Sequence, residues 1–570
     1  MSLNWIKTTS VIAVVTIAVY SISQYSSSPN ETTQQTHSYI VQTKSKAALE
    51  EVMADLSLSP SHDLSIINAY AMQLNQRQLE KIRELSSVTI TPNATVTLAG
   101  WAKGKRRWQP KADASQLIEA DKAHANKIYG DNVTIGVLDT GLDQLAGLAT
   151  DLRGRDKVWG TYDAINNTVH NFEREQNGHG THVASLAVNS DFDINGKIYG
   201  IAPNAALVGI KAFDSEGKST YADVIRGIAW AVDIKDAINL RILNMSFSGP
   251  AQSHYWQDPL NQAVMKAWQA GIVVVASAGN TGPQPMTIGV PGNVPYIITV
   301  GAMTDNYTPS DKTDDKLATF SSAGPTIEGF IKPEIVAPGG HVSGLMAFDT
   351  TIVTEHPEYH DGGRYFEMSG TSQAAGVVSG AVALLLSQQP ELTPDQVKCR
   401  LMNSARPAVN ANGSLAYSVF QQGAGVINVN DALANSTHCP SSTMDIAKDI
   451  AGEQHYVGPA FIDENGNIAI KDSDSLYTWN VAQKELSGDG FIWRTNFDVD
   501  GFIWRTNFDI DGFIWRTSFD SSSELLWRSE FETDGFIWRT NVDTDGFIWR
   551  TSADIDPNAA IGINRWVAQE

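Results

Sequence analysis

The stretch VTIGVLDTGLD, residues 133–143, decides the fold class of this chain. It begins as a short apolar run with little polar alternation, and the run ends at Asp139 and a turn-forming Thr140–Gly141. Comparable runs follow further along the chain: AALVGIKAF (205–213), RILNMSF (241–247), GIVVVASAG (271–279) and YIITVGA (296–302). Strands of this kind are covered on both faces, which is typical of a parallel sheet.

Helical patterns separate these strands. YADVIRGIAWAVDI (221–234) and PLNQAVMKAWQA (259–270) carry apolar residues at helical spacing. The resulting βαβ alternation predicts an α/β fold with a mostly parallel central sheet flanked by helices, over residues 112–435. The apolar run AAGVVSGAVALLL (374–386) has 13 residues, so it predicts a buried helix and not a membrane span.

Composition limits the possible partners. The 570 residues are 42% hydrophobic and 18% charged, which leaves room for two or more domains and a large core. The formal charge of -22 argues against nucleic acid or an anionic membrane as the main partner. With Cys399 and Cys439 alone, the chain cannot be a disulfide scaffold or carry a Cys-based zinc site, although one bridge could form in an oxidising compartment.

The amino-terminal part predicts export. Lys7 precedes an apolar stretch from Val11 to Ile22, which suits a signal peptide over residues 1–23; an uncleaved anchor is the alternative. A polar linker (24–36) leads to a compact unit at residues 37–99, whose predicted elements are the strand SYIVQT, the helix LNQRQLEKIREL and the strand VTITP. Residues 100–111 are basic, contain Gly and Pro, and predict an exposed joint.

The carboxyl-terminal part is repetitive. After a linker or accessory segment (436–487), residues 488–556 repeat GFIWRT, and residues 557–570 form a tail. Successive repeat tryptophans are 11, 11, 12, 11 and 11 residues apart: Trp493, Trp504, Trp515, Trp527, Trp538 and Trp549. Alternating apolar residues and Asp-Gly turns predict a β-rich repeat. Structural stacking, a surface for cell wall or polysaccharide, and a removable extension that guides secretion all remain open.

Four polar residues follow Gly-rich or strand-end segments. Asp139 ends a strand, His179 lies between glycines in QNGHGTHVAS, Asn280 follows the strand VVVAS, and Ser372 lies in FEMSGTSQAAG. Singly, each is compatible with a turn or a helix cap. Together they contain the parts of nucleophilic catalysis, because a serine hydroxyl needs an imidazole to take its proton and a carboxylate to orient that imidazole.

These motifs, in this order, resemble the subtilisin-like serine proteases (subtilases) over roughly Ser115–Ala434. The resemblance implies that Asp139 orients, His179 acts as base and then acid, and Ser372 attacks. It also implies that Asn280 and the Ser372 N–H bind the oxyanion. Loss of such an asparagine amide in a subtilisin costs about 10²–10³ in turnover, and we expect the same for Asn280.

Further segments resemble the substrate-binding strands of the family. NMSFSG and SAGN imply the substrate-binding residues Ser246, Phe247, Ser248, Gly249, Ser277, Ala278 and Gly279. KPEIVAPG (332–339) and PGNVPYIITVGA (291–302) also look like subtilase segments. Gln373 is a departure, because the family usually has Met directly after the nucleophile. This leaves the triad chemistry intact but could alter the rate or the pocket shape.

The unit at residues 37–99 resembles the inhibitor-type propeptide of these enzymes, a small α+β chaperone whose tail occupies the substrate cleft. VTITPNATVTLAG would be that tail, with self-cleavage between Ala99 and Ala112; an ordinary accessory domain is the alternative. NSDFDINGKIYG follows the His179 helix where many subtilases hold structural Ca²⁺. Asp191, Asp193 and Asn195 present oxygens suited to calcium, the resemblance adds Asp151, and a plain turn is the alternative.

The sequence therefore predicts a secreted serine endopeptidase that is made as a self-processing zymogen and needs no cofactor for catalysis. Its expected partners are polypeptide substrates and its own propeptide, not nucleic acid. Contact with the cell surface or a matrix through the repeats is a further expectation. The alternative is an adhesive surface protein that uses a protease-like domain as a scaffold.

Overall fold

A computed structural model describes residues 36–85, 88–98, 113–170, 174–308, 311–410, 415–435, 444–463, 467–472, 475–479, 486–487 and 561–563. The predicted signal peptide, the basic joint, the GFIWRT repeats and Cys439 lie outside these residues. Among the described helices, none combines the length and apolar character that crossing a membrane requires.

The first unit is a small α+β body. Its elements are β1 (Thr36–Thr43), α1 (Lys46–Asp55), β2 (His62–Leu64), β3 (Ala69–Asn75), α2 (Gln76–Arg83), β4 (Val88–Pro92) and β5 (Thr95–Leu98). The antiparallel sheet runs in the order β2-β3-β1-β4. Its core is formed by Val41, Leu49, Met53, Tyr70, Met72, Leu74, Leu79 and Ile82. β5 leaves this sheet and pairs with another part of the chain.

The second unit, called the central unit below, contains the predicted sheet. Its first elements are α3 (Ala114–Leu117), α4 (Ala120–Ala125), β6 (Thr134–Asp139), β7 (Val158–Asp163), β8 (Thr168–His170), α5 (His179–Val188), β9 (Ala206–Lys211), β10 (Lys218–Thr220), α6 (Tyr221–Ile234), β11 (Leu240–Met245), α7 (Pro259–Gln269), β12 (Val273–Ser277) and β13 (Ile298–Thr304). The remaining elements are β14 (Lys316–Leu317), β15 (Ile335–Pro338), β16 (Val342–Leu345), α8 (Thr351–Glu355), β17 (Tyr365–Met368), α9 (Thr371–Gln388), α10 (Pro394–Ser404), α11 (Val419–Gln422) and α12 (Val429–Ala434).

The central sheet is mostly parallel, as the continuous apolar runs predict. In the described residues its order is β14-β13-β12-β11-β6-β9-β7-β8, with β15 on β13. Of its described strand pairs, only β13–β14 and β7–β8 are antiparallel. Every residue of β6, β12 and β13 is buried. Because helices must cover both faces of such a sheet, the carboxyl ends of its strands remain as the open edge for ligands.

Local capping fixes where the covering helices begin. The Thr220 side chain accepts the Asp223 N–H at the start of α6. Asp258 caps α7 in the same way, and Pro259 occupies its first turn. The two helices therefore start at the residues that the amphipathic pattern predicts.

The chain beyond α12 returns to the central unit. Its elements are α13 (Ile446–Ala451), β18 (Ala460–Ile462), β19 (Ile468–Asp472), β20 (Ser475–Trp479), β21 (Leu486–Ser487) and β22 (Ile561–Ile563). The side chain of Asp449 accepts hydrogen bonds from Tyr255 at 2.6 Å and Tyr296 at 2.8 Å. Trp256 stacks on the rings of both His254 and His455. Part of the predicted linker or accessory segment is therefore packed against the central unit.

Two further connections complete the fold. Cys399 on α10 is disulfide-bonded, and the other cysteine of the chain, Cys439, lies outside the described residues. β5 pairs antiparallel with β10, and β22 pairs parallel with β5 on its other side. The first unit therefore reaches the central unit through a strand as well as through side chains.

Candidate active site

Asp139 lies at the open edge of the sheet, as the last residue of β6. It is 2% exposed. Its Oδ1 accepts a hydrogen bond from the backbone N–H of Thr140 at 2.8 Å, and the Thr140 hydroxyl oxygen lies 3.2 Å from the same atom. The same oxygen is 2.7 Å from Nδ1 of His179. The carboxylate is thus fixed by its own turn and aimed at the imidazole.

His179 is the first residue of α5 and is also buried. The preceding Gly178 has φ +108, a left-handed conformation that favours glycine, and a β-carbon there would lie 2.9 Å from the Met346 sulfur. Burial disfavours the imidazolium, but the Asp139 carboxylate outweighs this effect, so the pKa of His179 is raised. Its Nε2 is buried and has no hydrogen-bond partner among the described residues.

Glu175, which was not predicted from the sequence, binds the residues next to Asp139 and His179. Its carboxylate accepts hydrogen bonds from the backbone N–H groups of Gly180 at 2.9 Å and Thr181 at 2.8 Å, and from the hydroxyls of Thr140 and Thr181. Burial, together with the nearby Asp139 charge, raises its pKa to about 7 despite these hydrogen bonds. An acidic residue just before a helix start is the sequence feature that could have revealed it.

Ser372 is the second residue of α9 and is fully buried. Its hydroxyl donates to the Ser246 carbonyl oxygen at 2.8 Å, and the Ser246 hydroxyl donates to the Ser372 carbonyl oxygen at 3.0 Å. The end of β11 and the first turn of α9 are therefore held together at the nucleophile candidate.

The packing of α5 against α9 brings His179 and Ser372 to the same level. A β-carbon at Gly376 would lie 2.7 Å from the Val183 carbonyl oxygen, and one at Gly380 would lie 2.9 Å from the Ala187 carbonyl oxygen. These contacts step by four residues along both helices in the same direction. One turn earlier, the same register pairs His179 with Ser372.

Asn280 lies just after β12, beside the turn that carries Ser372. Its Oδ1 accepts hydrogen bonds from the Thr371 N–H at 3.0 Å and the Thr371 hydroxyl at 2.8 Å. The amide oxygen is thereby occupied, and a β-carbon at Gly370 would lie 3.2 Å from Asn280 Nδ2. The amide N–H₂ group is therefore oriented along the turn that precedes Ser372.

The predicted substrate-binding residues follow β11 and β12 on neighbouring strands. The strands pair as far as Met245 and Ala276, and the Ser277 hydroxyl then donates to the Phe247 carbonyl oxygen at 2.9 Å. Beyond this point they continue as Ser248–Gly249 and Ala278–Gly279. The structure therefore brings the seven predicted residues together next to the Ser372 turn.

Comparison with known proteins identifies the family of this site. The model of the subtilase family matches residues 130–425, which is more than half of the chain. The chain belongs to the subtilase family. It is similar to the serine protease AprX of Bacillus subtilis, with 35% identity over 361 residues that cover 61% of this chain and 78% of AprX. It is also similar to subtilisin DY of Bacillus licheniformis, with 36% identity over 318 residues that cover 55% of this chain and 96% of that protein.

A solved structure supports the fold of this subtilase. Fervidolysin from Fervidobacterium pennivorans, described as a keratinolytic enzyme related to subtilisin, superposes with a TM-score of 0.56 at 22% identity. The match covers 78% of this chain and 67% of fervidolysin. The predicted α/β fold and the prediction of a subtilisin-like serine peptidase are both confirmed. The alternative of a non-enzymatic scaffold is not favoured by either comparison.

The four residues predicted to bind calcium in this subtilase do not fit a shared site. Asp151 pairs with Arg155 at 2.6 Å, and Asp191 pairs with Arg364 at 3.0 Å. Asp193 accepts backbone N–H groups at 2.8 Å from Asn195 and at 2.9 Å from Lys197, as a plain turn requires. The described residues contain no group of three or more His, Cys, Asp or Glu that could hold a metal.

Two residues next to the catalytic candidates, His182 and Gln373, are buried in this subtilase. His182 is fully buried, its Nε2 lies 3.0 Å from the Phe366 carbonyl oxygen, and burial lowers its pKa to about 3. It therefore packs as a neutral residue on α5. Gln373, which departs from the family pattern, is buried with its amide 3.8 Å from the Met368 sulfur.

Proposed function

We propose that this chain is a secreted serine endopeptidase, made as a self-processing zymogen, which hydrolyses peptide bonds with Asp139, His179 and Ser372. The observation that carries the proposal is the 2.7 Å contact between His179 Nδ1 and Asp139, which leaves the imidazole Nε2 without a partner among the described residues. The helix register of α5 and α9 supports the pairing of that imidazole with Ser372.

The proton chemistry follows from this arrangement. Because a carboxylate only accepts hydrogen bonds, Nδ1 of His179 carries the proton and Nε2 of the neutral ring is the base. Nε2 takes the proton of Ser372 as the hydroxyl oxygen attacks the substrate carbonyl, and an acyl-enzyme forms when the amine leaves with that proton. Asp139 stabilises the imidazolium between these steps. Water then attacks the acyl-enzyme by the same route.

The negative charge of the tetrahedral intermediate needs donors that are already in position. The Asn280 side-chain amide and the Ser372 backbone N–H are proposed for this role, since Thr371 fixes the orientation of the Asn280 side chain. Extended substrate would lie along Ser246–Gly249 and Ser277–Gly279. In the proposed steps, these residues accept and donate each proton and bind each charge that develops. Calcium at the predicted aspartates is not part of the proposal.

The first unit is proposed to act as the propeptide. It contacts the helices of the central unit through Gln42, whose amide lies 2.6 Å from Gln262, and through His62, which lies 2.9 Å from Asp223. β5 then pairs with β10, which lies in the segment between β9 and α6. At the start of that segment, the backbone N–H groups of Ala212 and Phe213 donate to the Asp139 carbonyl oxygen. A tail placed in this way would occupy the substrate cleft until cleavage between Ala99 and Ala112.

Export is proposed from the amino-terminal apolar stretch, so the enzyme would act outside the cell on polypeptides. The GFIWRT repeats, at residues 488–556, are proposed to remain as a stacked β-rich region or to contact the cell surface. Both features lie outside the described residues.

A serine-directed phosphonate tests the proposed nucleophile. We expect one label per molecule of matured protein and none in Ser372→Ala. Ser387→Ala is the matched control, because its hydroxyl bonds within the same helix, to the Leu384 carbonyl oxygen at 2.7 Å. Labelling that persists in Ser372→Ala, or its absence from matured wild type, would overturn the proposal.

Mass spectrometry of the secreted product tests self-processing. Wild type should lose its amino-terminal unit, whereas Ser372→Ala should retain that unit uncut. Normal trimming of Ser372→Ala would show that another protease matures the chain, and would leave the phosphonate result unaffected.

A further inference from the structure

Ser248 stands where the two proposed substrate strands separate. The segments that continue β11 and β12 stay joined as far as the Ser277–Phe247 hydrogen bond. Ser248 follows this point after β11, and Ala278 and Gly279 follow it after β12. A third segment closes the far side, because Gly249 and Val290 exchange backbone hydrogen bonds at 2.8 and 2.7 Å. We call the space bounded by Ser248, Gly279 and Gly289 the glycine crevice.

The two segments that bound the glycine crevice are both hydrogen-bonded to the turn that carries Ser372. Two residues before Ser248, Ser246 exchanges hydrogen bonds with Ser372. On the other wall, the N–H of Gly279 donates to the Thr371 hydroxyl at 3.2 Å. A substrate carbonyl placed at Ser372 would therefore direct the side chain of its own residue, the P1 residue, into this crevice.

The hydroxyl of Ser248 fills the inner part of the crevice. A β-carbon at Gly279 would lie 2.9 Å from the Ser248 oxygen, and a β-carbon at Gly289 would clash with the same oxygen. The residue is 6% exposed, so its side chain is packed between these two glycine backbones.

We propose that Ser248 determines specificity by limiting the P1 residue to short side chains such as Gly, Ala and Ser. This inference rests on the proposed function and defines its substrate class. A longer side chain would have to displace the hydroxyl against the Gly279 and Gly289 backbones. The Gly249–Val290 pairing holds the chain next to Gly289, and the Ser322 N–H donates to the Gly279 carbonyl oxygen at 2.9 Å. A short P1 residue leaves room for the hydroxyl to keep a water molecule, or a P1 serine, as its partner.

The chain's own sequence agrees with this restriction. The strand β5 pairs with β10 through Thr95, Val96 and Thr97. The residues that follow β5 in the sequence are Ala99 and Gly100, both of which are short. A self-cleavage point directly after β5 would therefore present a P1 residue that the crevice accepts.

Peptide substrates that differ only at P1 test the inference. With matured wild type, kcat/KM for Ala or Ser at P1 should exceed that for Phe or Leu by at least about tenfold, a typical discrimination for a small change of volume in a pocket. Ser248→Gly should raise kcat/KM for P1 Phe about tenfold or more, while Ala changes little. Ser253→Gly, on the same connection between β11 and α7, should keep the wild-type preference.

The outcomes separate this inference from the proposed function. A wild-type enzyme that labels with phosphonate but prefers Phe, or a Ser248→Gly variant with unchanged preference, overturns the role of Ser248 alone. Active-site titration corrects each rate for the folded fraction, so a poorly folding variant still gives a ratio between substrates. Absence of labelling and of hydrolysis in wild type would instead overturn the proposed function.

Discussion

The hydroxyl of Ser372 donates to the backbone carbonyl oxygen of Ser246 at 2.8 Å, while the Ser246 hydroxyl donates to the Ser372 carbonyl oxygen at 3.0 Å. The hydroxyl proton of Ser372 is therefore directed towards β11 and not towards His179. Catalysis in the proposed mechanism requires this hydroxyl to rotate about its Cα–Cβ bond and to donate to Nε2. The Ser246 side chain holds the helix start in place during that change.

Ser246→Ala should slow acylation about two- to tenfold, because one hydrogen bond worth roughly 0.5–1.5 kcal/mol is lost at the turn that carries the proposed nucleophile. Burst kinetics with an ester substrate would measure the acylation rate, with Ser387→Ala as control. An unchanged rate would show that the β11 contact through the Ser246 hydroxyl does not position Ser372.

Asn280→Leu should lower kcat by about 10²–10³ with little change in KM, the loss known for the corresponding change in a subtilisin. The physical reason is that the amide would bind charge that develops only in the transition state. Steady-state kinetics on a peptide substrate separate the two constants. Thr371→Val removes one of the two donors that orient Asn280, the hydroxyl, and keeps the backbone N–H, so it should cause a smaller loss in kcat. A rise in KM alone would assign the amide to ground-state binding.

Gly376→Ala should reduce activity more than tenfold, because the added methyl would lie 2.7 Å from the Val183 carbonyl oxygen and would force α5 and α9 apart. His179 and Ser372 sit one turn before this contact, and small displacements at reacting groups cost large factors in rate. Activity per titrated site is the measurement, and Ser387→Ala on the same helix is again the control. Full activity per site would contradict the helix register as the positioning device.

Glu175→Gln should flatten the dependence of stability on pH between about 4.5 and 7. Burial raises the pKa of Glu175 to about 7, so the folded state holds its proton more tightly than the unfolded state. The resulting stabilisation is complete below pH 4.5 and is lost as the pH rises through 7, by about 3 kcal/mol at 1.36 kcal/mol per pKa unit. Denaturant unfolding in a Ser372→Ala background, which prevents self-digestion, would compare the two proteins. Parallel stability curves would refute the assignment.

Glu334→Gln should destabilise the central unit by about 3–5 kcal/mol, because it leaves the buried Lys332 and the half-buried Lys398 without their carboxylate. Glu334 pairs with Lys332 at 2.6 Å and with Lys398 at 2.7 Å, and burial lowers the pKa of Lys332 to about 7. Glu84→Gln, which breaks an exposed pair with Lys81, is the control and should cost less than about 1 kcal/mol. Equal losses of unfolding free energy in the two variants would contradict this account.

The central sheet was predictable from the sequence because its strands are apolar on both faces, a pattern that is typical of parallel strands covered by helices. Helices α6 and α7 were predicted to within a residue, since Thr220 and Asp258 cap them. The prediction was less accurate in the first unit, where the helix expected from Leu74 begins at Gln76. Leu74 and Asn75 still belong to β3, and the helical period of Leu74 with Leu79 and Ile82 could not show this.

The site was less fully predictable, because its supporting contacts join residues far apart in the sequence. Glu175 gains its importance from Thr140, which is 35 residues away, and no local pattern links them. Asp151 was assigned to calcium by the family resemblance, which could not show that its carboxylate pairs with Arg155, four residues later. The Ser246–Ser372 exchange spans 126 residues and depends on how β11 meets α9.

The attachment of Asp449 to Tyr255 and Tyr296 sets a limit on trimming at the carboxyl terminus. If a processing protease cut directly after α12, two phenol groups in the interior would lose their shared acceptor, and Trp256 would lose one of its two stacked rings. The smallest product of such a cut that keeps these contacts would therefore retain α13 and His455. A cut that released the tryptophan-rich tail would have to lie downstream of that anchor.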